Sequence, residues 1–189
     1  RLEHANLFLT ALNGKYEWFR YHPLFADFLR QVQAQVNPTE IPELHKRAAT
    51  WLEGNGDLNE AFRHALASQD MEWAADMIQR NHHKMIKAGE VSALTHWIGQ
   101  LRGEILHRRP YLLLSYAWAL IATHQLDLAR YWLDEARQLL NQQETRKGFG
   151  KADLQYFRGS LAVSQSHLAM LSGDIEQAAK FSKQAIRYL

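Results

Sequence analysis

Gly56-Asp57-Leu58-Asn59-Glu60-Ala61 is the stretch that decides the fold, because variants of it recur along the chain at the start of other predicted helices. Gln69–Ala74 (QDMEWA) and Gly173–Ala178 (GDIEQA) repeat the pattern, and His124–Ala129 (HQLDLA) is a looser copy. Each copy places a turn residue before an Asp or Gln, follows it with an apolar residue, and puts Ala four positions after the Asp or Gln. The recurrence predicts several helices that start in the same way.

The chemistry of the repeated phrase predicts stacked helical hairpins. An Asp at the N-cap accepts hydrogen bonds from backbone N–H groups that have no partner in the helix, and Glu60 or Gln177 completes a capping box. The Ala leaves no bulk where a second helix must lie close. Ala61 and Ala129 are 68 residues apart, twice the ~34-residue period of tetratricopeptide (TPR) repeats. We therefore predict an all-α fold, a TPR-like right-handed superhelix of helical hairpins.

Composition excludes several classes of function. The 189 residues carry a net charge of +2, from 22 basic and 20 acidic residues that are interspersed, so no face is expected to attract nucleic acid. The chain has no cysteine, which removes disulfides, thiolate metal sites and cysteine nucleophiles and suits a cytoplasmic protein. No apolar run approaches the ~20 residues that span a bilayer. The chain opens and stops within predicted helices, so we interpret it as part of a longer protein.

The first 37 residues show a different pattern from the rest. Residues 1–7 are predicted to end a helix, and the apolar and aromatic runs that follow flank Asn13-Gly14, the strongest short signal for a β-hairpin. Pro23 is expected to open a helix that ends near Val36. Helix, hairpin and helix together are typical of the end of a winged-helix domain. The break at Asn37–Pro42 places the domain boundary between residues 37 and 38.

Only helices are predicted from Glu43 onward. The apolar spacing predicts a helix that contains Leu44–Leu52, then helices over 57–68, 70–87 and 91–102. Pro110 starts the next helix, and another contains Ala129–Leu140. Residues 142–151 form the one predicted long loop, and two further helices complete the chain.

One stretch resembles a known family. Trp18–Arg30 (WFRYHPLFADFLR) is similar to the end of the winged-helix domain of MalT-like, ATP-dependent LuxR-type transcription activators. The likeness continues through Leu44–Leu52 and Glu60–Ala67, and reaches Trp97-Ile98 and Pro110–Leu120. It is specific over about residues 16–122, and the remainder is compatible with helical repeats of any kind.

The resemblance implies a modular regulator. Such proteins combine a signalling ATPase module, a winged helix, a helical-repeat sensor and a C-terminal DNA-binding domain. By resemblance, residues 1–37 are the C-terminal part of the winged helix, and residues 38–189 are the sensor, truncated at its C-terminal end. This chain lacks the Walker A pattern, so we expect no enzyme and no cofactor here, whereas the longer protein would bind and slowly hydrolyse ATP.

The resemblance also implies partners. A small-molecule inducer, for which an oligosaccharide is one candidate, or an inhibitory protein would bind the superhelix, and the active form would self-associate. DNA would be bound only through the missing C-terminal domain, and no membrane contact is expected. The alternative, from another class, is a TPR-like protein-interaction scaffold that senses no small molecule.

His22 is the one candidate site residue. In related signalling ATPases a histidine at the end of the winged-helix hairpin reaches the β-phosphate of bound ADP, and by resemblance His22 in Tyr21–Leu24 takes that place in the full-length protein. The alternative is a purely structural role, in which His22 only anchors the wing to the following helix.

The remaining side chains are expected to be structural. His82, His83 and the other scattered histidines lack the spacing of a metal site, so surface or boundary positions are predicted for them. The basic pairs Lys46-Arg47 and Arg108-Arg109 are predicted at solvated helix ends. Five tryptophans could form an aromatic cradle for a ligand, but an inter-repeat core is the favoured interpretation: Trp51, Trp73, Trp97, Trp118 and Trp132.

Overall fold

The computed structural model describes residues 8–11, 19–146 and 150–189. Within these ranges a two-stranded antiparallel sheet precedes helices only, so the predicted all-α class with one short β-hairpin is confirmed. The elements in chain order are β1 (Leu9–Ala11), β2 (Phe19–Tyr21), α1 (Pro23–Val36), a 3₁₀ turn (Pro38–Glu40), α2 (Ile41–Gly54), α3 (Leu58–Ala67), α4 (Met71–Lys87), α5 (Val91–Gly99), α6 (Gly103–His107), α7 (Pro110–Ala122), α8 (Leu126–Arg146), α9 (Lys151–Leu171) and α10 (Ile175–Tyr188).

The N-terminal hairpin leads directly into α1. Leu9 pairs with Tyr21 and Ala11 with Phe19, whereas the predicted Asn13-Gly14 turn and the predicted helix end at residues 1–7 lie outside the described residues. Pro23 occupies the first turn of α1, where its missing N–H costs nothing. The helix runs from Pro23 to Val36, as predicted.

The recurring phrase caps the helices as its chemistry predicts. The Asp57, Asp70 and Asp174 carboxylates accept hydrogen bonds from the backbone N–H three residues later, at 3.2, 3.1 and 3.0 Å. The residue before each capping position has a positive φ, from 59° at His124 to 83° at Gly56. This left-handed turn ends one helix and starts the next. A fifth turn of the same kind, at Gly89 (φ 76°), was not predicted, because Glu90 replaces the Asp there.

Helices that follow one another in the chain pack together in pairs. The closest packing joins α2 to α3, α7 to α8 and α9 to α10. The alanines of the recurring phrase lie inside the fold: Ala61, Ala74 and Ala129 are fully buried, and Ala178 is 9% exposed. Larger apolar side chains from α3 to α9 complete one continuous core. The small residues therefore set how closely the helices approach.

Two predicted helix bounds are wrong. The helix predicted over 91–102 ends at Gly99, and a short α6 follows. A Cβ at position 99 would lie 2.9 Å from the Tyr116 hydroxyl, so a side chain there would have to displace the end of that ring. The long loop predicted over 142–151 is also shorter, because α8 continues to Arg146 and α9 starts at Lys151. No Gly or Pro interrupts the chain before Gly148, so the helix continues.

One residue of each basic pair, Lys46 and Arg109, does not have the solvated helix-end position predicted for it. The Arg109 guanidinium is only 15% exposed and contacts the carboxylates of Glu72 and Asp76 on α4. Lys46 lies in the middle of α2, and its Nζ is 2.6 Å from the Asp70 carboxylate. These charges therefore connect neighbouring hairpins, which a sequence pattern within one helix does not reveal. Arg108, 72% exposed, fits the prediction better.

Candidate functional site

A cleft of about 540 Å³ lies between α4, α7 and α9, which are the first helices of three successive hairpins. Its volume is typical of pockets that bind small molecules. Most of its lining side chains are aromatic or polar: two tyrosines, one tryptophan, two histidines and three serines. The lining residues are His82, His83, Ile86, Tyr111, Leu114, Ser115, Trp118, Tyr156, Ser160, Val163, Ser164 and Leu189.

The helical spacing of α7 presents its lining residues on one side. Tyr111, Leu114, Ser115 and Trp118 follow the three-and-four spacing that aligns side chains along one helix face. Their neighbours Leu112, Leu113, Ala117 and Leu120 are buried in the core. Apart from its tyrosine hydroxyls and the tryptophan N–H, α7 carries a single polar side chain, that of Ser115. The Ser115 hydroxyl donates a hydrogen bond to the Tyr111 carbonyl at 3.0 Å.

The aromatic side chains come from two helices. The Tyr111 and Tyr156 rings lie 6.0 Å apart with planes inclined by 46°, a common arrangement for aromatic pairs. The Tyr111 hydroxyl donates to the Asp153 carbonyl at 3.3 Å, which fixes the ring relative to α9. Burial raises the pKa of this phenol, and the neighbouring Asp153 and Tyr156 add to the effect. Tyr111 is therefore a neutral hydroxyl at physiological pH.

The histidines lie at the α4 side of the cleft. His82 is 7% exposed, so the surface or boundary position predicted for it is wrong. Burial lowers its pKa, against a smaller opposing effect from its hydrogen bond to the Gln79 carbonyl, and the nearby His83 lowers the pKa further. The two rings lie 3.9 Å apart. His82 is thus a neutral, polar side chain at one edge of an aromatic site.

This combination offers groups that can contact a ligand. Aromatic faces bind flat or apolar ligand surfaces, while serine hydroxyls and the neutral His82 imidazole offer hydrogen bonds without charge. Such a lining suits a neutral ligand with many hydroxyl groups or an apolar face. Within the described ranges, no three His, Cys, Asp or Glu side chains are grouped as metal ligands would be.

The tryptophans divide between the two interpretations. Trp73, Trp97 and Trp132 are partly buried against the core, and the Trp97 indole donates to Asn59 at 2.9 Å. Trp118 lines the cleft instead, and Trp51 on α2 is 53% exposed. The core interpretation therefore fits three of the five, and the cradle interpretation fits Trp118.

His22 lies far from this cleft in the sequence, between β2 and α1. It is exposed at the N-cap of α1, its backbone N–H donates to the Phe8 carbonyl at 2.6 Å, and its side chain makes no capping hydrogen bond. The role assigned to it by resemblance concerns a nucleotide in a longer protein and stays a prediction.

Sequence reasoning missed most of the cleft. The sequence does not identify Tyr111, Ser115 or Tyr156 as site residues. Each has the properties of an ordinary helix residue, and the cleft forms only when α4, α7 and α9 pack together. The signal that could have found them is Ser115, a lone polar residue in the apolar run Tyr111–Ile121. A polar side chain on such a helix needs a partner or a solvent-filled cavity.

The described residues form a series of packed helices that follows a short antiparallel sheet and α1. Comparison with known proteins makes this specific. The family model of the MalT winged helix domain matches residues 1–41. The whole chain is similar to the HTH-type transcriptional regulator MalT of Vibrio parahaemolyticus, with 29% identity over 189 residues, and to that of Klebsiella pneumoniae, with 30% identity over 188 residues.

The chain is thus MalT-like over its whole length, which confirms the resemblance inferred from Trp18–Arg30. It spans about a fifth of the length of these curated relatives (20% in each). No solved structure gives a significant match. The winged-helix match ends at residue 41, the first residue of α2, and the boundary between residues 37 and 38 stays a prediction. None of the described helices is long and apolar enough to pass through a bilayer.

Proposed function

We propose that this chain is the sensor region of a MalT-like, ATP-dependent transcription activator, and that its inducer binds in the cleft between α4, α7 and α9. The observation that carries the proposal is the lining of that cleft, in which Trp118, Tyr111 and Tyr156 stand beside neutral hydroxyl and imidazole groups. An oligosaccharide is the ligand class that we favour, because aromatic faces and neutral hydrogen-bonding groups suit its apolar faces and hydroxyls.

The connection between the two parts of the chain supports a coupling role. Asn37 alone separates α1 from the 3₁₀ turn Pro38–Glu40, and α2 follows at once. The turn contacts both helices, and hydrogen bonds from Asn37 to Gln33 and from Glu40 to Asn37 close it. A short, hydrogen-bonded connection transmits a rotation of α2 to α1 better than a flexible linker does.

The proposed mechanism is a shift between two states. Inducer binding favours the ATP-bound, self-associating form of the longer protein over the ADP-bound resting form. The inducer must prefer one state by roughly 1–3 kcal/mol to act in this way. His22, exposed at the start of α1, is proposed to contact the ADP phosphate in the resting state. The chain itself contributes no catalysis, and the longer protein binds and slowly hydrolyses ATP.

A thermal-shift experiment tests ligand binding. The 189-residue chain is melted with a panel of oligosaccharides and common metabolites. A ligand present at about 100 times its Kd stabilises the chain by about 2.7 kcal/mol, which raises Tm by roughly 5–10 °C for a chain of this size. The Trp118→Leu variant should bind the hit about tenfold more weakly.

Trp51→Leu is the matched control, because Trp51 is an exposed tryptophan outside the cleft. A hit whose affinity falls equally in both variants would place the ligand elsewhere. For His22, ADP retention is measured in the longer regulator that carries His22→Ala, with His96→Ala as an exposed-histidine control. Retention equal to that of the unmodified regulator would remove the phosphate-sensing role.

A protein-interaction scaffold is the second candidate, and one observation favours it. Apolar side chains of α1 are exposed, with Leu24 at 75%, Phe28 at 56% and Val36 at 67%. Exposed apolar stripes of this kind mark protein contacts. If no small molecule stabilises the chain and a protein partner binds it tightly through α1, the scaffold function is preferred over inducer sensing.

A further inference from the structure

A second groove lies on the other face of α9. Two separate sets of α9 residues line the two sites. The second groove is lined by Arg158, Leu161, Ala162 and Gln165, and the cleft by residues that include Tyr156, Ser160 and Ser164. At about 100° per residue the two sets point in opposite directions. The second groove has a volume of about 830 Å³, with α8 on one side and α10 on the other. It shares no lining residue with the cleft.

The groove combines positive charge with neutral hydrogen-bonding groups. Each of its three helices contributes one cation: Arg137 from α8, Arg158 from α9 and Lys180 from α10. Gln165, Gln177 and Gln184 also line the groove, and no acidic side chain is among the described residues that do so. Carboxylates do lie around the groove: the Asp134 carboxylate is 3.5 Å from Arg137, and Asp174 and Glu176 line adjacent depressions.

Two of the cations, Arg137 and Arg158, are oriented by contacts with neighbouring side chains. With its amide oxygen facing α8, the buried Gln165 accepts hydrogen bonds from Arg137 Nε at 3.3 Å and Nη2 at 2.6 Å. The Arg158 guanidinium lies over the Tyr188 ring, 5.7 Å from its centre, an arrangement that leaves a guanidinium charged and oriented. Pre-positioned cations lower the entropy cost of binding an anion.

We propose that this groove is a binding site for a phosphorylated small metabolite, separate from the inducer cleft. A phosphate group presents several oxygens to the cations that three helices contribute to the groove, and guanidinium groups bind phosphate in a bidentate manner. The glutamine amides and the Phe181 and Tyr188 rings would contact the rest of the ligand. The MalT-like sensor would then receive a second, metabolic signal.

Isothermal titration tests the site on the 189-residue chain at constant ionic strength. The probes are inorganic pyrophosphate and glucose 6-phosphate, with glucose and succinate as comparators. Both phosphorylated probes should bind with saturation, and glucose should not. Equal or tighter binding of succinate would overturn the assignment to phosphate, and absence of saturable binding by both phosphorylated probes would overturn the site.

Lys180→Gln is the test variant and Lys183→Gln its control. Both lysines are exposed on α10 and both changes remove one positive charge, but only Lys180 lines the groove. Lys180→Gln should weaken pyrophosphate binding about tenfold, while Lys183→Gln should leave it nearly unchanged. An equal loss in both variants would reduce the effect to general electrostatics and overturn the site. Trp118→Leu should bind pyrophosphate normally, which distinguishes this site from the inducer cleft.

Discussion

Substituting Ala61 by leucine tests the idea that small residues set the helix spacing. Ala61 is fully buried on α3, which packs against α2 and α4. Leucine adds three carbons. If the site had room for them, their burial would stabilise the chain by up to about 2 kcal/mol. If the helices already touch, forcing the carbons in costs about 1–3 kcal/mol. The sign of the change therefore decides between a loose and a close contact.

Urea unfolding followed by far-UV circular dichroism measures the change. We expect the midpoint to fall for Ala61→Leu, with a decrease in Tm of roughly 2–12 °C. Ala129→Leu should behave in the same way, because Ala129 is also fully buried. Ala67→Leu is the control on the same helix, where the alanine is exposed, and it should stay within about 0.5 kcal/mol. A midpoint for Ala61→Leu at or above that of the parent would refute the proposed packing.

Three further predictions concern charge and capping. Burial lowers the pKa values of His45 and His64 below 6.5, the nearby Arg63 adds to this, and their Nδ1 atoms lie 2.8 Å apart. Because the unfolded chain then binds more protons, stability should be complete above pH 6.5 and fall as the pH decreases. The fall in urea midpoint between about pH 7.5 and pH 5.5 should be smaller in the double variant His45→Gln/His64→Gln, and an equal fall would contradict this assignment. Arg109→Met should cost about 1–3 kcal/mol of unfolding free energy, because two carboxylates lose a largely buried partner, whereas Arg108→Met should change it by less than about 0.5 kcal/mol; similar costs would contradict the difference in burial. Asp174→Ala should cost about 1 kcal/mol in the same urea assay, because the N–H of Gln177 loses its capping acceptor, and an unchanged midpoint would show that this cap is not stabilising.

The features that sequence predicted well are local. The Asp57 and Asp174 caps depend on residues three positions apart, and the start of α1 depends on Pro23 itself. The burial of Ala61 could also be predicted, because each copy of the recurring phrase has an alanine at the same position, where a second helix is expected to lie close. Local chemistry of this kind is fully present in a single sequence.

The features that sequence missed depend on contacts between distant residues. At the end of α5, a Cβ at Gly99 would lie 2.9 Å from the Tyr116 hydroxyl of α7, and Arg109 is held by carboxylates on α4. The cleft requires α4, α7 and α9 together, so neither Tyr111 nor Tyr156 carries a signal of its own. Similarly, His82 is buried only because these helices surround it.

The most direct test of the central claim is ¹⁹F NMR of the chain labelled with 5-fluorotryptophan. The six tryptophans give separate resonances, which Trp→Phe substitutions assign. When the oligosaccharide identified by thermal shift is added, we predict that the Trp118 resonance moves with saturation while those of Trp97 and Trp132 stay in place. A ligand that binds and leaves the Trp118 resonance unmoved would contradict the assignment of the cleft as the inducer site.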